Sequence, residues 1–356
     1  MGNHFFRGLA AAFGLLGLAA GWASFPPAAQ TAAQPDPKLQ PYVNPGVLAD
    51  LGNGRRIHVL CMGRGSPTVI LSAGMGNWAE TWKKVQPVVA AKTRVCAWDR
   101  AGYGFSSPSP DPQDVTHTTA DLERALKAAK VAGPYVMVGH SLGGLETLLF
   151  VDRNLRQVAG VVLEDPTMPG QTEAFHKYPA LEADIADYDR KAAAQRARCL
   201  AELKAHNGDI DAIEGGPCMG APPSYPKALW AALRPSFRDP AKWETRNSLV
   251  DHFGEDPTIA IKANRNYGGR PLIILMATKI EPTDPGPTAA AVDSELADYL
   301  SHDRREGLAR LAAASSRGEV REVPDSTHYI HDIRPELVIS TVDEAVDLVR
   351  RRSARP

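Results

Sequence analysis

The chain carries no charge excess, no repeat of fixed period and, past residue 23, no long apolar run. Its 40 Lys and Arg against 41 Asp and Glu leave a formal net charge of −1. That gives no strong field to favour nucleic acid or an anionic membrane. Cysteine is scarce: Cys61, Cys96, Cys199 and Cys218 are the only four, and none stands in CxxC spacing. A zinc site is therefore not expected, and nothing in the sequence calls for any other metal or an organic cofactor. The Arg350-Arg351-Arg352 run and Arg355 read as a solvated helix end rather than a binding patch. What remains is ordinary globular composition, 44% hydrophobic and 23% charged, in 356 residues. That is enough for one large domain with an insertion, or two modest ones.

The N-terminus reads as an export signal over residues 1–23. Arg7 lies near the start, no acidic residue precedes Asp36, Gly8 to Ala23 is apolar, and Gly21-Trp22-Ala23 offers small residues for cleavage. A membrane span needs roughly 20 apolar residues, so an uncleaved anchor is the lesser alternative. No Cys follows the run, which argues against a lipoprotein. Residues 24–45, rich in Pro, Ala and Gln, read as a flexible spacer. The expectation is a secreted or periplasmic protein with no stable membrane insertion once the signal is removed. In such a compartment the cysteines read as disulfides. Of the three pairings possible, closeness along the chain favours Cys61–Cys96 with Cys199–Cys218.

From Val47 onward, strand-like and helix-like segments alternate. Strands are expected at 47–51, 55–62, 68–72, 94–98, 135–138, 158–163, 271–277 and 319–323, and helices at 79–90, 116–131, 145–152 and 335–351. Such alternation implies an α/β architecture with a mostly parallel sheet covered on both faces. Residues 169–267 break the rhythm with long helical stretches and Pro-rich joints. They read as a helical lid inserted into a core formed by 46–168 and 268–352.

At one junction the apolar run Tyr135–Val138 meets Gly139-His140-Ser141-Leu142-Gly143-Gly144 and continues as helix. G-x-S-x-G between a strand and a helix marks a nucleophile elbow. The sharp turn lifts the Ser141 hydroxyl clear of the sheet and aims the Leu142 amide at a bound acyl oxygen. A second oxyanion donor is expected from the loop after the third strand, Ala73-Gly74-Met75-Gly76, and by position it is the Met75 amide.

These stretches resemble the α/β-hydrolase superfamily, in its secreted serine-nucleophile, esterase- and lipase-like branch. The likeness is carried by Gly54–Cys61, Gly65–Leu71, Cys96–Ser106, Val138–Gly144, and Ser326–Ile330 followed by Pro335. It implies an eight-stranded sheet in which the second and fourth strands are neighbours, placing Cys61 near Cys96. One departure is Ala73-Gly74 where the superfamily usually has His-Gly. The backbone donor survives that change, but any role of the His side chain does not.

The base follows the nucleophile in chain order. His328, past the last strand in Ser-Thr-His-Tyr-Ile, fits best, with His331 the runner-up. His140 is expected to point into the packing, and His58, His117, His176, His206, His252 and His302 read as surface or satisfied structural groups. The acid can stand after the sixth strand, at Glu164 or Asp165, or after the seventh, at Glu281 or Asp284. Ile280 occupies the usual seventh-strand position, so Asp165 is preferred. Asp99 and Arg100 are expected to brace loops beside the site.

The expected activity is cleavage of a small-molecule ester-like bond (carboxylic ester, lactone or thioester) through an acyl-enzyme on Ser141. A serine nucleophile argues against dehalogenation and epoxide opening, which use an Asp there. One alternative is a serine aminopeptidase or amidase, with Glu182, Asp184, Asp187 and Asp189 receiving the substrate amine. Another is a non-catalytic binding protein on the same scaffold. Neither the substrate nor the oligomeric state is legible.

Overall fold

A computed structural model describes residues 35–209, 224–280 and 286–353. The signal expected at 1–23, the acid candidates Glu281 and Asp284, and Cys218 all lie outside these residues. Eight strands form one sheet in the order β1-β2-β4-β3-β5-β6-β7-β8. They are β1 (Val47–Gly52), β2 (Arg55–Met62), β3 (Thr68–Ser72), β4 (Val95–Trp98), β5 (Tyr135–His140), β6 (Val158–Glu164), β7 (Gly268–Ala277) and β8 (Ser315–Val323). β1 and β2 form an antiparallel hairpin, β2 pairs antiparallel with β4, and every later pairing is parallel. β3, β4 and β5 are buried along their whole length, as continuous apolar runs flanked on both faces should be.

β7 and β8 start three and four residues earlier than their apolar runs. Gly268 pairs with Ser315, whose hydroxyl donates to the Gly268 carbonyl, so pairing extends beyond the hydrophobic pattern. The helix expected at 79–90 is two short pieces instead, a 3₁₀ turn at Ala79–Trp82 and a helix at Gln86–Val89. Pro87 supplies no amide there, and the Ala79 amide is held by the Asp99 carboxylate at 2.8 Å.

The spacer expectation is corrected at its C-terminal end. Residues Pro37–Tyr42 form a 3₁₀ helix, capped by the Asp36 side chain on the Lys38 amide. Leu39 and Tyr42 are buried in the same cluster as Trp82, Leu229 and Leu233, and Tyr42 Oη donates to Gln86 Oε1 at 2.9 Å. Residues 36–42 of the expected spacer are therefore part of the packed body.

Among the described residues, five helices separate β6 from β7: Gln171–Phe175, Pro179–Ala205, Lys227–Arg238, Pro240–His252 and Asp256–Ile259. They pack over the loops at the carboxyl ends of the strands. Thr245 Oγ1 receives the Ser109 amide, Ser248 Oγ the Gln113 amide and Asp256 the Val115 amide. Cys61 and Cys96 sit opposite each other in the β2–β4 register and form a disulfide. Cys199 is disulfide-bonded as well. Among the described residues no helix is long and apolar enough to cross a membrane.

Candidate active site

At the end of β5 the chain turns through Ser141, with φ 54° and ψ −124°, and the helix Leu142–Asn154 begins at the next residue. This is sparsely populated backbone for a side-chain-bearing residue and costs about 1–3 kcal/mol. Glycines allow the crossing. A Cβ at Gly139 would stand 2.2 Å from the Gly143 oxygen, and one at Gly143 would stand 2.3 Å from the Ser72 oxygen. The Ser141 carbonyl accepts the Gly144 amide at 2.8 Å and the Thr167 amide at 3.0 Å. That carbonyl and the Leu142 N–H belong to one planar trans peptide, so anchoring the first points the second the opposite way. As the first amide of its helix, Leu142 N–H has no intrahelical acceptor.

The Met75 amide is oriented by the same device. Arg100 Nη1 donates to the Gly74 carbonyl at 3.0 Å, fixing the peptide that ends in Met75 N–H. Arg100 is itself held by Glu146, with Nε to Oε1 at 2.6 Å and Nη2 to Oε2 at 2.8 Å, and it also reaches the Ala73 carbonyl. Met75 and Leu142 share one buried apolar cluster, together with Tyr103, Leu145, Leu249 and Phe253. Asp99 braces as expected, accepting the Ala79 and Phe105 amides and lying 2.7 Å from His58 Nδ1.

Asp165, the first residue past β6, places Oδ2 2.6 Å from His328 Nδ1. Its Oδ1 accepts the Ala277 amide at 3.0 Å and Arg304 Nη2 at 2.8 Å. Burial would raise the Asp165 pKa, but the Arg304 charge and the His328 hydrogen bond outweigh it and hold the carboxyl below its usual range. Ser141 Oγ and His328 Nε2 are both buried, and neither has a hydrogen-bond partner among the described residues. Contacts between nucleophile and base commonly tighten only when substrate is bound.

Glu164 and His331, the other candidates among the described residues, form a second pair. Glu164 Oε1 accepts the His331 amide at 2.7 Å and lies 2.7 Å from His331 Nδ1. His331 Nε2 is 3.1 Å from Thr81 Oγ1. Between the two imidazoles stands His140, with ring centroids 4.5 Å from His328 and 4.8 Å from His331. Its Nε2 lies 3.0 Å from the His328 carbonyl. Burial, with the neighbouring His328 and His331, holds the His140 pKa well below the ordinary value, so the ring stays neutral. His140, Glu164 and His331 also have the composition of a metal site, with donor atoms within 4.8 Å of one another. Glu164 Oε1, however, is already engaged by two His331 nitrogens.

Two residues at the site escape sequence reasoning. Arg304 sits in an Asp-Arg-Arg run that reads as a solvated helix face. A π turn over Leu300–Arg304 adds a residue to the coil and brings this one arginine inward, where it is 4% exposed. Glu146, mid-helix in an apolar stretch, carries no signal beyond its isolation. The lid carboxylates proposed for an amine are partly spent elsewhere: Glu182 pairs with His176, and Asp187 with Arg190 and Lys191.

Residues 68–341 match the model of the alpha/beta hydrolase family. The Bacillus subtilis protein YqjL is 35% identical over 117 residues, which are 33% of this chain and 46% of that protein. A Schizosaccharomyces pombe protein is 42% identical over 81 residues, 23% of this chain and 15% of its own length. The chain thus spans less than half of the curated relatives it matches first. Among solved structures, a thermophilic esterase from Thermogutta terrifontis superposes with a TM-score of 0.52 at 18% identity, covering 86% of this chain and 99% of that one. A haloalkane dehalogenase loop variant from Bradyrhizobium elkanii gives 0.57 at 17% identity, covering 85% and 96%. At these identities the likeness is one of fold.

Proposed function

The chain belongs to the alpha/beta hydrolase family, and on that premise we propose that it is a serine hydrolase cleaving an ester-like bond through an acyl-enzyme on Ser141. The observation that carries this reading is the 2.6 Å Asp165–His328 contact beside an unpartnered Ser141 hydroxyl on a positive-φ turn. His328 Nε2 takes the Ser141 proton as Oγ attacks the carbonyl carbon. Asp165 holds the Nδ1–H tautomer and stabilises the imidazolium. The Met75 and Leu142 amides receive the oxyanion, and each such donor is worth about 3–4 kcal/mol in the transition state. The imidazolium then protonates the leaving group, and a water activated by His328 frees the acid. With Ser at the elbow, the Asp-nucleophile chemistry of a dehalogenase does not transfer from the structural neighbours.

The substrate is proposed to be a small molecule reached beneath the helical insertion, which acts as a lid. Export remains part of the proposal. The Cys61–Cys96 bond suits an oxidising compartment, secreted or periplasmic.

The test is turnover of an activated aryl ester by the protein and its Ser141→Ala variant, with fluorophosphonate labelling mapped to the residue. We expect labelling at Ser141 and a loss of at least about 10³-fold in kcat/KM for the variant. Full turnover by Ser141→Ala would refute the mechanism. An unlabelled, inactive protein would favour a binding protein on this scaffold.

A further inference from the structure

Among the described residues three arginines are buried, and they differ in one respect. Arg100 has Glu146 at 2.6 Å, and Arg304 has Asp165 at 2.8 Å. Arg246, on the lid helix Pro240–His252 and 3% exposed, has no carboxylate within 4.0 Å. Its Nε donates to the Lys242 carbonyl at 3.2 Å and its Nη2 to the Ser236 carbonyl at 3.1 Å. Its guanidinium carbon lies 5.0 Å from the Trp243 ring centroid, 5.3 Å from Phe237 and 5.9 Å from Tyr103. Carbonyls and ring faces orient the cation and partly offset its desolvation, but they carry no net negative charge.

One helical turn earlier stands a second cation without a direct ion pair; Asp239 acts on both through space, and Asp99 acts on Lys242 as well. Lys242 Nζ donates to the Gly104 carbonyl at 3.2 Å and Ser236 Oγ at 3.0 Å, again with no carboxylate partner among the described residues. Like charges at this spacing repel. Burial pushes Arg246 down to about 10, and burial with the Arg246 charge pushes Lys242 down to about 8, so both are cationic at neutral pH. Across from them, the Trp78 indole N–H is buried with no hydrogen-bond partner among the described residues, and the Tyr103 hydroxyl lies against the Gly76 backbone. Trp78 packs 6.5 Å from Tyr103 and 6.2 Å from Phe237 between ring centroids, which ties the four groups into one cluster. Trp78, arginine and lysine can only donate, while the Tyr103 hydroxyl can donate or accept, so the cluster is rich in donors and positive charge.

Its location links it to the chemistry. Tyr103 belongs to the same buried cluster as Met75 and Leu142, and Trp78 packs against that cluster. We propose that Arg246, with Lys242, Tyr103 and Trp78, forms an anion subsite that recognises a carboxylate carried by the ester substrate. The natural substrate class is then a half-ester of a dicarboxylic acid, or an equivalent ester bearing a free carboxylate. This proposal rests on the acyl-transfer reading of Ser141.

The test compares 4-nitrophenyl half-esters of succinate, glutarate and adipate with the same compounds capped as methyl esters. For the unaltered protein, the charged ester should exceed its capped counterpart by about tenfold or more in kcat/KM at one or more chain lengths. Arg246→Met should bring that ratio to about one, and Arg246→Lys should restore part of it. The readout is a ratio between two esters within each protein, so a general loss of activity cancels. Should the variants not fold, competitive inhibition of the unaltered protein by the free dicarboxylates, and not by their diamides, supports the subsite. No preference for the charged ester at any length overturns the subsite, as does a ratio unchanged in Arg246→Met. Stronger inhibition by inorganic phosphate than by any dicarboxylate overturns the carboxylate assignment. If capped esters turn over through Ser141 without charge preference, only the subsite fails. If no ester turns over and Ser141 resists the fluorophosphonate probe, the acyl-transfer reading itself fails.

Discussion

Asp165 divides its two oxygens between Arg304 and His328, and that division sets what the His328 imidazole experiences. Oδ1 faces Arg304 and Oδ2 faces His328, all three being buried. Burial opposes the charge on Arg304, but Asp165 overrides it and keeps the guanidinium firmly protonated. Because the folded-state pKa of Asp165 lies below its ordinary value, its contribution to stability is complete above the unfolded carboxylate range. That contribution is lost as pH falls through the depressed folded pKa. Arg304→Met leaves Asp165 with the Ala277 amide and His328 in a desolvated site, where burial raises its pKa. The acid limb of kcat/KM against pH is expected to move to higher pH, with a loss of roughly 3–5 kcal/mol in stability from breaking a buried pair. Arg304→Lys should recover part of both effects. A pH profile superimposable on that of the unaltered protein would remove Arg304 from the machinery and leave it a packing residue.

At the scale of elements, the helical insertion proposed as a lid meets the core at a carboxyl group that burial pushes up to about 7. Asp256 opens the short lid helix Asp256–Ile259, is fully buried, and accepts the Val115 amide at the start of the core helix Val115–Ala128 at 2.8 Å. Its second oxygen has no partner. Burial pushes its pKa up to about 7, against the Val115 hydrogen bond, while Asp114 and Glu146 reinforce the rise and His252 opposes it. The folded state therefore holds a proton that the unfolded chain has lost between about pH 4 and pH 7. The contribution of this group is present at the low end of that window and is lost as pH rises through about 7. Protease resistance of the lid should accordingly be greater near pH 5.5 than near pH 8, and Asp256→Asn should flatten the difference. An unchanged pH dependence in the variant would show that the latch does not titrate there.

The same scale shows what the sequence could and could not announce. The parallel strands were readable because burial on both faces makes them continuous apolar runs. The helical character of the segment between β6 and β7 was readable because Pro-punctuated helical segments interrupt the alternation. The strap at Pro37–Tyr42 was not, because Leu39 and Tyr42 become core only once the lid helix Lys227–Arg238 offers Leu229 and Leu233. The choice of acid stayed open for a related reason. Glu164 and Asp165 are adjacent, His328 and His331 are three apart, and each carboxylate finds one histidine. The pairing of Asp165 with His328 and of Glu164 with His331 emerges only once the sheet brings these segments together. Arg246 was invisible for the opposite reason, since a lone cation in a helical lid looks solvated until its neighbours are known.

For the whole molecule, the Cys61–Cys96 bond clips the antiparallel β2 to the parallel body through β4 and closes a loop with a sequence separation of 35. That loop contains β3 and the Ala73–Gly76 turn carrying the Met75 amide, so the cross-link restrains the segment proposed to supply an oxyanion donor as well as a strand pair. In the chain-entropy model a loop of this length contributes roughly 4 kcal/mol by restricting the unfolded ensemble. For a protein of this size that corresponds to a fall in Tm on the order of 5–10 °C when the bond is removed. A reductant would also open the bridge at Cys199, so the discriminating experiment is the paired substitution Cys61→Ala with Cys96→Ala. The Ser141 elbow is built by β5, Gly143 and Ser72 without help from the cysteines, and the Met75 peptide is pinned by Arg100. The paired variant is therefore expected to melt earlier while keeping its kcat/KM toward an aryl ester at low temperature. A Tm equal to that of the unaltered protein would mean that the unfolded chain gains little freedom when the clip is lost.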